Sequence, residues 1–243
     1  MKISDPAFQL DAALALPQDE VHLWQINLDA LATEEQRWQQ MLSQDEQARA
    51  ARFHFARDRQ HFAATRACLR IILARYLGSE PAALKFLYSE KAKPSLDPSF
   101  GRNQVEFNVS HSGAMALLAF ARSRALGVDI EHIRDNFDPG AIAGRFFSEH
   151  EQHQLIALAP AEKFNGFFRC WTRKEAYIKA HGAGLSLPLD QFEVSLRPAD
   201  ENALVATRPD AAEAALWSLR DVPTEKGYAA ALCVRGHGWR LVF

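Results

Sequence analysis

Two carboxylates stand one residue apart in the apolar segment Gly127-Val128-Asp129-Ile130-Glu131. If this segment is a strand, Asp129 and Glu131 leave the same face with Cα atoms about 6.6 Å apart, a spacing that suits two ligands of one metal ion. An edge strand with a solvated acidic face would show the same pattern. The flanking Val128 and Ile130 favour a buried strand, where an unpaired acid is costly, and therefore favour the metal-binding interpretation.

A third carboxylate lies on a predicted helix, in the segment from Trp171 to Lys179. Glu175 and Lys179 are one helical turn apart, which is also typical of an ordinary surface ion pair. Glu175 shares a stripe with Trp171 and Ile178, so we expect it to point inward, where it needs a lysine or a metal ion as partner. Lys174 points elsewhere and is expected to be solvated. Three acids and a lysine on two rigid elements suit a hard metal ion that holds phosphates, which predicts an enzyme.

Further polar groups lie in a turn, a loop and a second helix. The segment Ser110-His111-Ser112-Gly113 is typical of a hairpin turn, but its hydroxyl and imidazole groups could also donate to phosphate oxygens. Lys93 lies in a polar loop before the strand that leads to this turn. Three cations follow one face of the first long helix: Arg59, Arg66 and Arg70. Such a face is normally solvated, but opposite a diphosphate the same groups would clamp the anion.

The composition is that of an ordinary globular chain. It has 243 residues, of which 48% are hydrophobic and 24% charged, and a net charge of -2 that gives no global field for nucleic acid or an anionic membrane. The three cysteines are too far apart for a metal-ligand motif or a disulfide framework, which favours a reducing compartment. No apolar run reaches the length of a membrane span, and the N-terminus lacks a secretory pattern. We therefore expect a cytoplasmic protein.

Several elements are predicted to position these groups. After an irregular arm over residues 1–20, a strand is expected from Val21 to Leu28 and a long helix from Asp58 to Leu77, ended by a glycine. In the second half a strand over Leu126–Glu131 carries the paired acids, and a helix over 161–180 carries Glu175. Capping boxes at Ser43 and Ser148 predict two further helix starts.

The two halves of the sequence resemble each other at a shift of 105 residues. Met41–Gln47 aligns with Phe146–Gln152, and the first strands and long helices align as well. Two unrelated segments that share a capping box would look similar. At this shift the three acids align with Trp24, Ile26 and Arg70. We therefore predict an α+β fold of two similar α/β halves related by a pseudo-twofold axis, residues 21–122 and 123–243, with one site between them.

Four motifs, in order and spacing, resemble the 4'-phosphopantetheinyl transferase superfamily. They are Phe107-Asn108-Val109-Ser110-His111-Ser112, Gly127-Val128-Asp129-Ile130-Glu131, Arg145-Phe146-Phe147-Ser148 and Trp171-Thr172-Arg173-Lys174-Glu175-Ala176-Tyr177-Ile178-Lys179. Gly182–Leu189 matches too, so that the resemblance covers about Lys91 to Leu196. The length resembles the surfactin-synthetase-activating type, a monomer of two similar halves.

The resemblance implies transfer of the phosphopantetheine arm of coenzyme A to a serine of an apo carrier protein, with release of adenosine 3',5'-bisphosphate. It implies an enzyme of the holo-acyl-carrier-protein synthase type with Mg²⁺ as cofactor. The implied roles fall on these residues: Asp129, Glu131 and Glu175 as magnesium ligands; His111, Lys179, Ser110 and Lys93 as pyrophosphate contacts; Glu175, Lys179 and His111 as catalytic residues. Four first-half residues compete for the 3'-phosphate, namely Arg49, Arg52, His61 and Arg66, and Arg66 is preferred for its place on the helix face.

Two other functions fit the same residues. One is a magnesium-dependent phosphodiesterase or nucleotidyl transferase acting on another diphosphate. The other is a non-catalytic module that binds coenzyme A or a carrier protein, although such a module has no need of a full metal site. The sequence does not identify the carrier, whether of fatty acid, polyketide or nonribosomal peptide synthesis.

Overall fold

The computed structural model describes residues 1–4, 13–89, 93–103, 105–182 and 187–243, with side chains omitted at 101–103. Part of the predicted N-terminal arm and part of the Gly182–Leu189 motif lie outside these residues. The strands are β1 (Lys2–Ile3), β2 (Glu20–Asn27), β3 (Phe86–Tyr88), β4 (Pro94–Leu96), β5 (Val105–Ser112), β6 (Met115–Arg122), β7 (Leu126–His132), β8 (Phe192–Val194), β9 (Leu204–Thr207), β10 (Trp217–Asp221), β11 (Tyr228–Arg235) and β12 (Arg240–Val242). The helices are α1 (Leu28–Leu31), α2 (Glu35–Met41), α3 (Gln44–Ala50), α4 (Ala56–Leu77), α5 (Pro139–Phe146), α6 (Glu149–Ala157) and α7 (Lys163–His181).

This mixture of helices and sheets confirms the predicted α+β class. The chain divides into two compact units. Unit 1 comprises Met1–Phe107, Ala114–Ser123 and Trp239–Phe243, and unit 2 comprises Asn108–Gly113 and Arg124–Gly238. Among the described residues, no helix is long and apolar enough to cross a membrane.

Unit 1 is built on a sheet with α4 as its main helix. In the sheet, β2 pairs antiparallel with β6 and parallel with both β1 and β12, while β5 begins beside β6. Helices α1, α2 and α3 pack on α4, which ends where Gly78 takes a left-handed conformation at φ 63°. The glycine carries no side chain that would oppose this conformation, so the predicted helix stop is confirmed.

Two of the three cations predicted on one face of α4 are not solvated, whereas Arg59 is partly exposed and pairs with Glu35. Arg66 and Arg70 are buried, and both form ion pairs with Glu46, whose own side chain is 1% exposed. Arg70 also donates to the carbonyl oxygens of Pro81 and Leu84, in the segment that follows the helix. Because Glu46 is the third residue of α3 and belongs to the capping box that starts this helix, the cluster ties both α3 and the Pro81–Leu84 segment to α4.

Unit 2 is a three-stranded antiparallel sheet, in the order β10-β11-β7, with α7 packed on all three strands. Its core joins aromatic side chains of α7 and the apolar Ala143 of α5 and Leu155 of α6 to the sheet and to the small β8–β9 sheet. Gly127 permits the close approach of α7 to β7, because a Cβ atom there would lie 2.2 Å from the Ala176 carbonyl oxygen and 2.3 Å from the Ala180 nitrogen. Gly182, at φ 81°, ends the helix.

The prediction that Lys174 is solvated was wrong, because its side chain is fully buried. Its ammonium group lies 2.8 Å from a carboxylate oxygen of the equally buried Glu151 and donates to the carbonyl oxygens of Leu189 and Phe192. The partners that make this burial tolerable come from outside the helix, so the helical pattern could not reveal them. Glu151 is the third residue of α6 and belongs to the confirmed capping box that starts this helix.

Candidate active site

The paired acids of β7 are confirmed to lie on a strand, and a row of polar side chains from β5 lies against that strand. We call Asn108, Ser110 and Ser112 the polar comb, because successive members point the same way at the two-residue period of a strand. Each accepts a hydrogen bond from a backbone N–H of β7. These N–H groups belong to Val128 at 2.9 Å, Ile130 at 3.3 Å and His132 at 3.1 Å. Side chains of β5 therefore satisfy the backbone N–H groups on the edge of β7 that faces away from β11.

The same hydroxyl groups hold the two carboxylates of β7. Ser110 Oγ donates to Asp129 Oδ1 at 2.8 Å, and Ser112 Oγ donates to Glu131 Oε2 at 2.7 Å. Lys179 Nζ lies 2.6 Å from Asp129 Oδ1 and 3.0 Å from Ser110 Oγ. Asp129 Oδ2 is buried and has no hydrogen-bond partner within the described part of the chain. Because a buried oxygen without a partner is costly, this atom is poised to accept a cation or a donor.

Glu175 of α7 belongs to the same electrostatic cluster. Burial raises the pKa of Glu175, and the Asp129 and Glu131 carboxylates raise it further against the opposing effect of Lys179. Burial also raises the pKa of Glu131; the bond from Ser112 opposes this, and Asp129 adds to it. The three carboxylates therefore lie close enough to repel one another. Lys179 forms its ion pair with Asp129, which favours the inward orientation over an ordinary i,i+4 surface pair.

The cluster does not by itself form a finished metal cage. Over the residues that the structure describes, no three His, Cys, Asp or Glu side chains are arranged to hold a metal ion. The donors nevertheless fit a hard cation, since all are carboxylate oxygens and one of them is buried with no hydrogen-bond partner in the described ranges. The sequence-predicted acids thus share one neighbourhood without converging on one point.

The other sequence-predicted residues divide between the two units. Ser110 and the exposed His111 belong to unit 2 with the acids, whereas Lys93 and Arg66 belong to unit 1. The guanidinium group of Arg66 is engaged by Glu46, by the hydroxyl group of Tyr88 at 3.1 Å and by the ring of Phe86. The other three candidates for the 3'-phosphate differ in exposure. Arg49 and Arg52 are exposed, whereas His61 is buried with its Nε2 atom 2.8 Å from Asp29 Oδ1.

Two family models match consecutive stretches of the chain. The model described as 4'-phosphopantetheinyl transferase superfamily matches residues 125–233, and the model described as 4'-phosphopantetheinyl transferase, N-terminal, matches residues 29–123. The 4'-phosphopantetheinyl transferase HetI of Nostoc is 41% identical over 230 residues, which are 95% of this chain and 94% of that protein. The 4'-phosphopantetheinyl transferase Sfp of Bacillus subtilis is 30% identical over 200 residues, 82% of this chain and 85% of that protein.

The chain belongs to the 4'-phosphopantetheinyl transferase superfamily. The predicted family, the enzyme class and the transfer of phosphopantetheine from coenzyme A to a carrier protein are confirmed with it. The two consecutive matches also agree with an architecture of two halves. Coenzyme A is the substrate of this family, and carrier proteins are what the family acts on.

Sequence reasoning missed two members of the transferase's polar comb. Asn108 and Ser112 were assigned no role, and Ser110 and Ser112 were placed in a turn, although β5 continues to Ser112. The alternation of Asn108, Ser110 and Ser112 at every second residue was an available signal, since it is the period of a strand. It was hidden because Ser and Gly together are also the residues of a turn.

Proposed function

We propose that this transferase carries out its reaction at the carboxylate cluster of unit 2, with Asp129, Glu131 and Glu175 as the ligands of Mg²⁺. The observation that carries the proposal is the buried Asp129 Oδ2, which has no hydrogen-bond partner among the described residues and lies within a group of mutually repelling carboxylates. Magnesium prefers oxygen donors and is usually bound by one or two carboxylates together with substrate phosphates. When bound, the ion would neutralise the diphosphate of coenzyme A and ease departure of the leaving phosphate.

The cations and donors around the cluster are proposed to hold the diphosphate. Lys179 keeps part of its side chain exposed, at 28%, while it pairs with Asp129, so its charge can face a phosphate oxygen as well. His111 is exposed beside the comb, and Lys93 is the contribution from unit 1. Ser110 stands beside these contacts, although its hydroxyl group already serves Asp129, Ile130 and Lys179.

The 3'-phosphate is proposed to bind to a cation of the first half. Arg66 remains the candidate from its place on α4, but its engagement with Glu46 leaves it fewer free donors than an exposed arginine has. Arg49 and Arg52 are exposed and compete with it. Replacing each arginine by methionine and measuring the affinity for adenosine 3',5'-bisphosphate identifies the contact, because only its loss weakens that binding substantially.

Glu175 is proposed to accept the proton of the carrier serine. Its raised pKa makes it a better proton acceptor than an ordinary exposed carboxylate. In this step the serine Oγ forms a bond to the phosphorus next to pantetheine, and the bond from that phosphorus to the bridging oxygen breaks. Adenosine 3',5'-bisphosphate leaves with the bridging oxygen, and the serine proton passes to Glu175. Both atoms and charges balance without a further reactant.

The proposal is tested by incubating the protein with coenzyme A, Mg²⁺ and several apo carriers. We expect a phosphopantetheine mass increment on a carrier, and a rate reduced by at least about 10²-fold in Glu175→Gln with unchanged thermal unfolding. Near-normal labelling by Glu175→Gln would reject its role as base. Cleavage of coenzyme A or another diphosphate without carrier labelling would instead indicate a phosphodiesterase or nucleotidyl transferase, and binding without turnover a non-catalytic module.

The setting of the reaction belongs to the same proposal. We propose that the enzyme is a cytoplasmic monomer, with residues 21–122 on the coenzyme A side and 123–243 on the magnesium side, serving an apo acyl, peptidyl or polyketide carrier. The three cysteines, Cys68, Cys170 and Cys233, are buried free thiols, as suits a reducing compartment. Light scattering that gives the mass of one chain would support the monomer, and twice that mass would reject it.

A further inference from the structure

The two hydroxyl groups of the polar comb each donate to one oxygen of a β7 carboxylate and do not contact the second oxygen. Ser112 occupies Glu131 Oε2, and Ser110 together with Lys179 occupies Asp129 Oδ1. The second oxygen of Asp129, Oδ2, has no hydrogen-bond partner among the described residues. Ser112 is likewise the one hydrogen-bond donor that the described part of the chain supplies to Glu131. Each acid is therefore presented with one oxygen engaged and one available.

This presentation bears on which cation the acids can hold. Calcium takes six to eight oxygen ligands and readily binds both oxygens of a carboxylate, whereas magnesium demands six ligands in near-ideal octahedral geometry and keeps several waters. A carboxylate whose second oxygen is held by a hydroxyl donor can give a cation one oxygen at full strength. The hydroxyl groups of the comb thus prevent each acid from binding a cation through both carboxylate oxygens, which is the binding mode that favours calcium. Magnesium, which can bind through one oxygen, is little affected.

We infer that the hydroxyl groups of Ser110 and Ser112 set the cation selectivity of this site, favouring magnesium over calcium by making Asp129 and Glu131 one-oxygen ligands. The inference rests on the proposed magnesium role of these acids. It assigns Ser112, which has no proposed part in catalysis, as a positioning residue that acts through Glu131. Asn108 differs from its two neighbours, because it binds the Val128 N–H and engages neither carboxylate.

Ser112 is the better position to test, since Lys179 would still hold Asp129 Oδ1 in a Ser110 variant. Ser112→Thr keeps the hydroxyl group and Ser112→Val removes it at nearly the same volume, and both residues suit a strand. Each full-length protein, free of coenzyme A, is loaded with Mn²⁺, which is followed by electron paramagnetic resonance. Mg²⁺ and Ca²⁺ are then titrated separately as competitors, so the ratio of their affinities is measured without any turnover.

We expect Ser112→Val to lower the ratio of Mg²⁺ to Ca²⁺ affinity by about ten-fold, the scale at which loss of a ligand's hydrogen-bond partner changes metal affinity. Ser112→Thr should retain the wild-type ratio. Asn108→Ala is the matched control, because it removes a comb contact to β7 without releasing a carboxylate oxygen. It should lower the thermal unfolding temperature and leave the ratio unchanged.

The outcomes separate this inference from the proposed function. If the wild-type protein binds none of the three cations, even after coenzyme A is added, the proposed metal site itself is wrong. If it binds them and Ser112→Val keeps the wild-type ratio, the selectivity inference is overturned while the metal site stands. An equal change of ratio in Asn108→Ala would also overturn it, since the effect would then come from general disturbance of β7. Ser112→Ala, measured in the same way, replaces the valine variant if the latter does not fold.

Discussion

Gly127 sets the distance between β7 and α7, and Gly127→Ala should damage both stability and catalysis. The new Cβ atom would lie 2.2 Å from the Ala176 carbonyl oxygen, 2.3 Å from the Ala180 nitrogen and 2.8 Å from the Lys179 carbonyl carbon. These are backbone atoms of a helix, so no side-chain rotation relieves the contact. To reach an ordinary contact the shortest distance must lengthen from 2.2 Å to at least 3.4 Å, which requires the helix to move away from the strand by about 1 Å.

Two magnitudes follow from that displacement. Overpacking of this kind typically costs about 1–3 kcal/mol, and the rigid backbone partners put the cost near the upper value, about 3 kcal/mol. For a chain of this length that corresponds to a fall of roughly 6–12 °C in Tm. The contact between Lys179 Nζ and Asp129 Oδ1, now 2.6 Å, would lengthen by about the same 1 Å and cease to be a hydrogen bond. A misplacement of that size can reduce turnover by about 10²-fold.

The assay pairs thermal unfolding with carrier labelling and uses Gly144→Ala as the control. Gly144 lies within α5, where an added Cβ meets nothing within 4 Å, so alanine there should be neutral or slightly stabilising. Gly127→Ala should lower both Tm and the labelling rate, while Gly144→Ala lowers neither. A Gly127→Ala protein with Tm within about 2 °C of wild type and full labelling activity would refute the close packing of β7 on α7.

The remaining predictions concern the buried charges. Lys174→Met should lower the free energy of unfolding by about 3–5 kcal/mol, because it leaves Glu151 buried without its cation, and adding Glu151→Leu should recover a large part of the loss in urea unfolding. Burial raises the pKa of Glu46, but Arg66 and Arg70 lower it more, so the pKa lies below its ordinary value. The stabilisation of the folded protein by the Glu46 carboxylate is therefore present above about pH 4.3 and is lost as the pH falls through the lowered pKa. The free-energy difference between wild type and Glu46→Gln should therefore shrink at acid pH; a difference that grows there would contradict this sign. Burial raises the pKa of Glu151, so the corresponding difference for Glu151→Gln should be largest below about pH 4.3 and shrink as the pH rises through the raised value.

Local patterns were sufficient to predict the elements that carry the chemistry. The strand with Asp129 and Glu131 was expected over Leu126–Glu131 and runs from Leu126 to His132. The first long helix ends at the glycine that predicted its end, and the capping boxes at Ser43 and Ser148 start helices. These features were predictable because each depends on residues within one or two turns of the chain.

Charges with distant partners were not predictable in the same way. Lys174 was expected in solvent, and the arginines of α4 were interpreted as a charged helix face. Both interpretations used the spacing of residues along one helix, which reveals only contacts within that helix. Arg70 meets Glu46 across 24 residues of sequence, and Ser110 meets Asp129 across 19. Such contacts form only when the fold brings separate elements together, so the burial of a cation is decided by tertiary structure.

Both units have a buried ion pair that joins a capping-box glutamate to the long helix, which we call the fastening contact, but only unit 2 has the three acids of the candidate site. Glu46 and Glu151 align at the shift of 105 residues, and each is the last residue of a capping box. Glu46 pairs with two buried cations of the next long helix, and Glu151 pairs with one. In both units one of those cations, Arg70 or Lys174, also donates to two carbonyl oxygens of the segment that follows the helix.

The strands that precede these helices differ sharply. Where β7 carries Asp129 and Glu131, β2 carries Trp24 and Ile26, which are 5% and 0% exposed. Ile26 is purely apolar and Trp24 donates its one polar group to the Tyr76 hydroxyl at 3.3 Å, whereas each acid of β7 is a charged group that is held by a hydroxyl group of the polar comb. The hydroxyl groups of the polar comb therefore serve the acids as well as the backbone N–H groups of β7, so the fastening contact recurs in both units, whereas these hydroxyl groups lie beside the strand that carries the carboxylates.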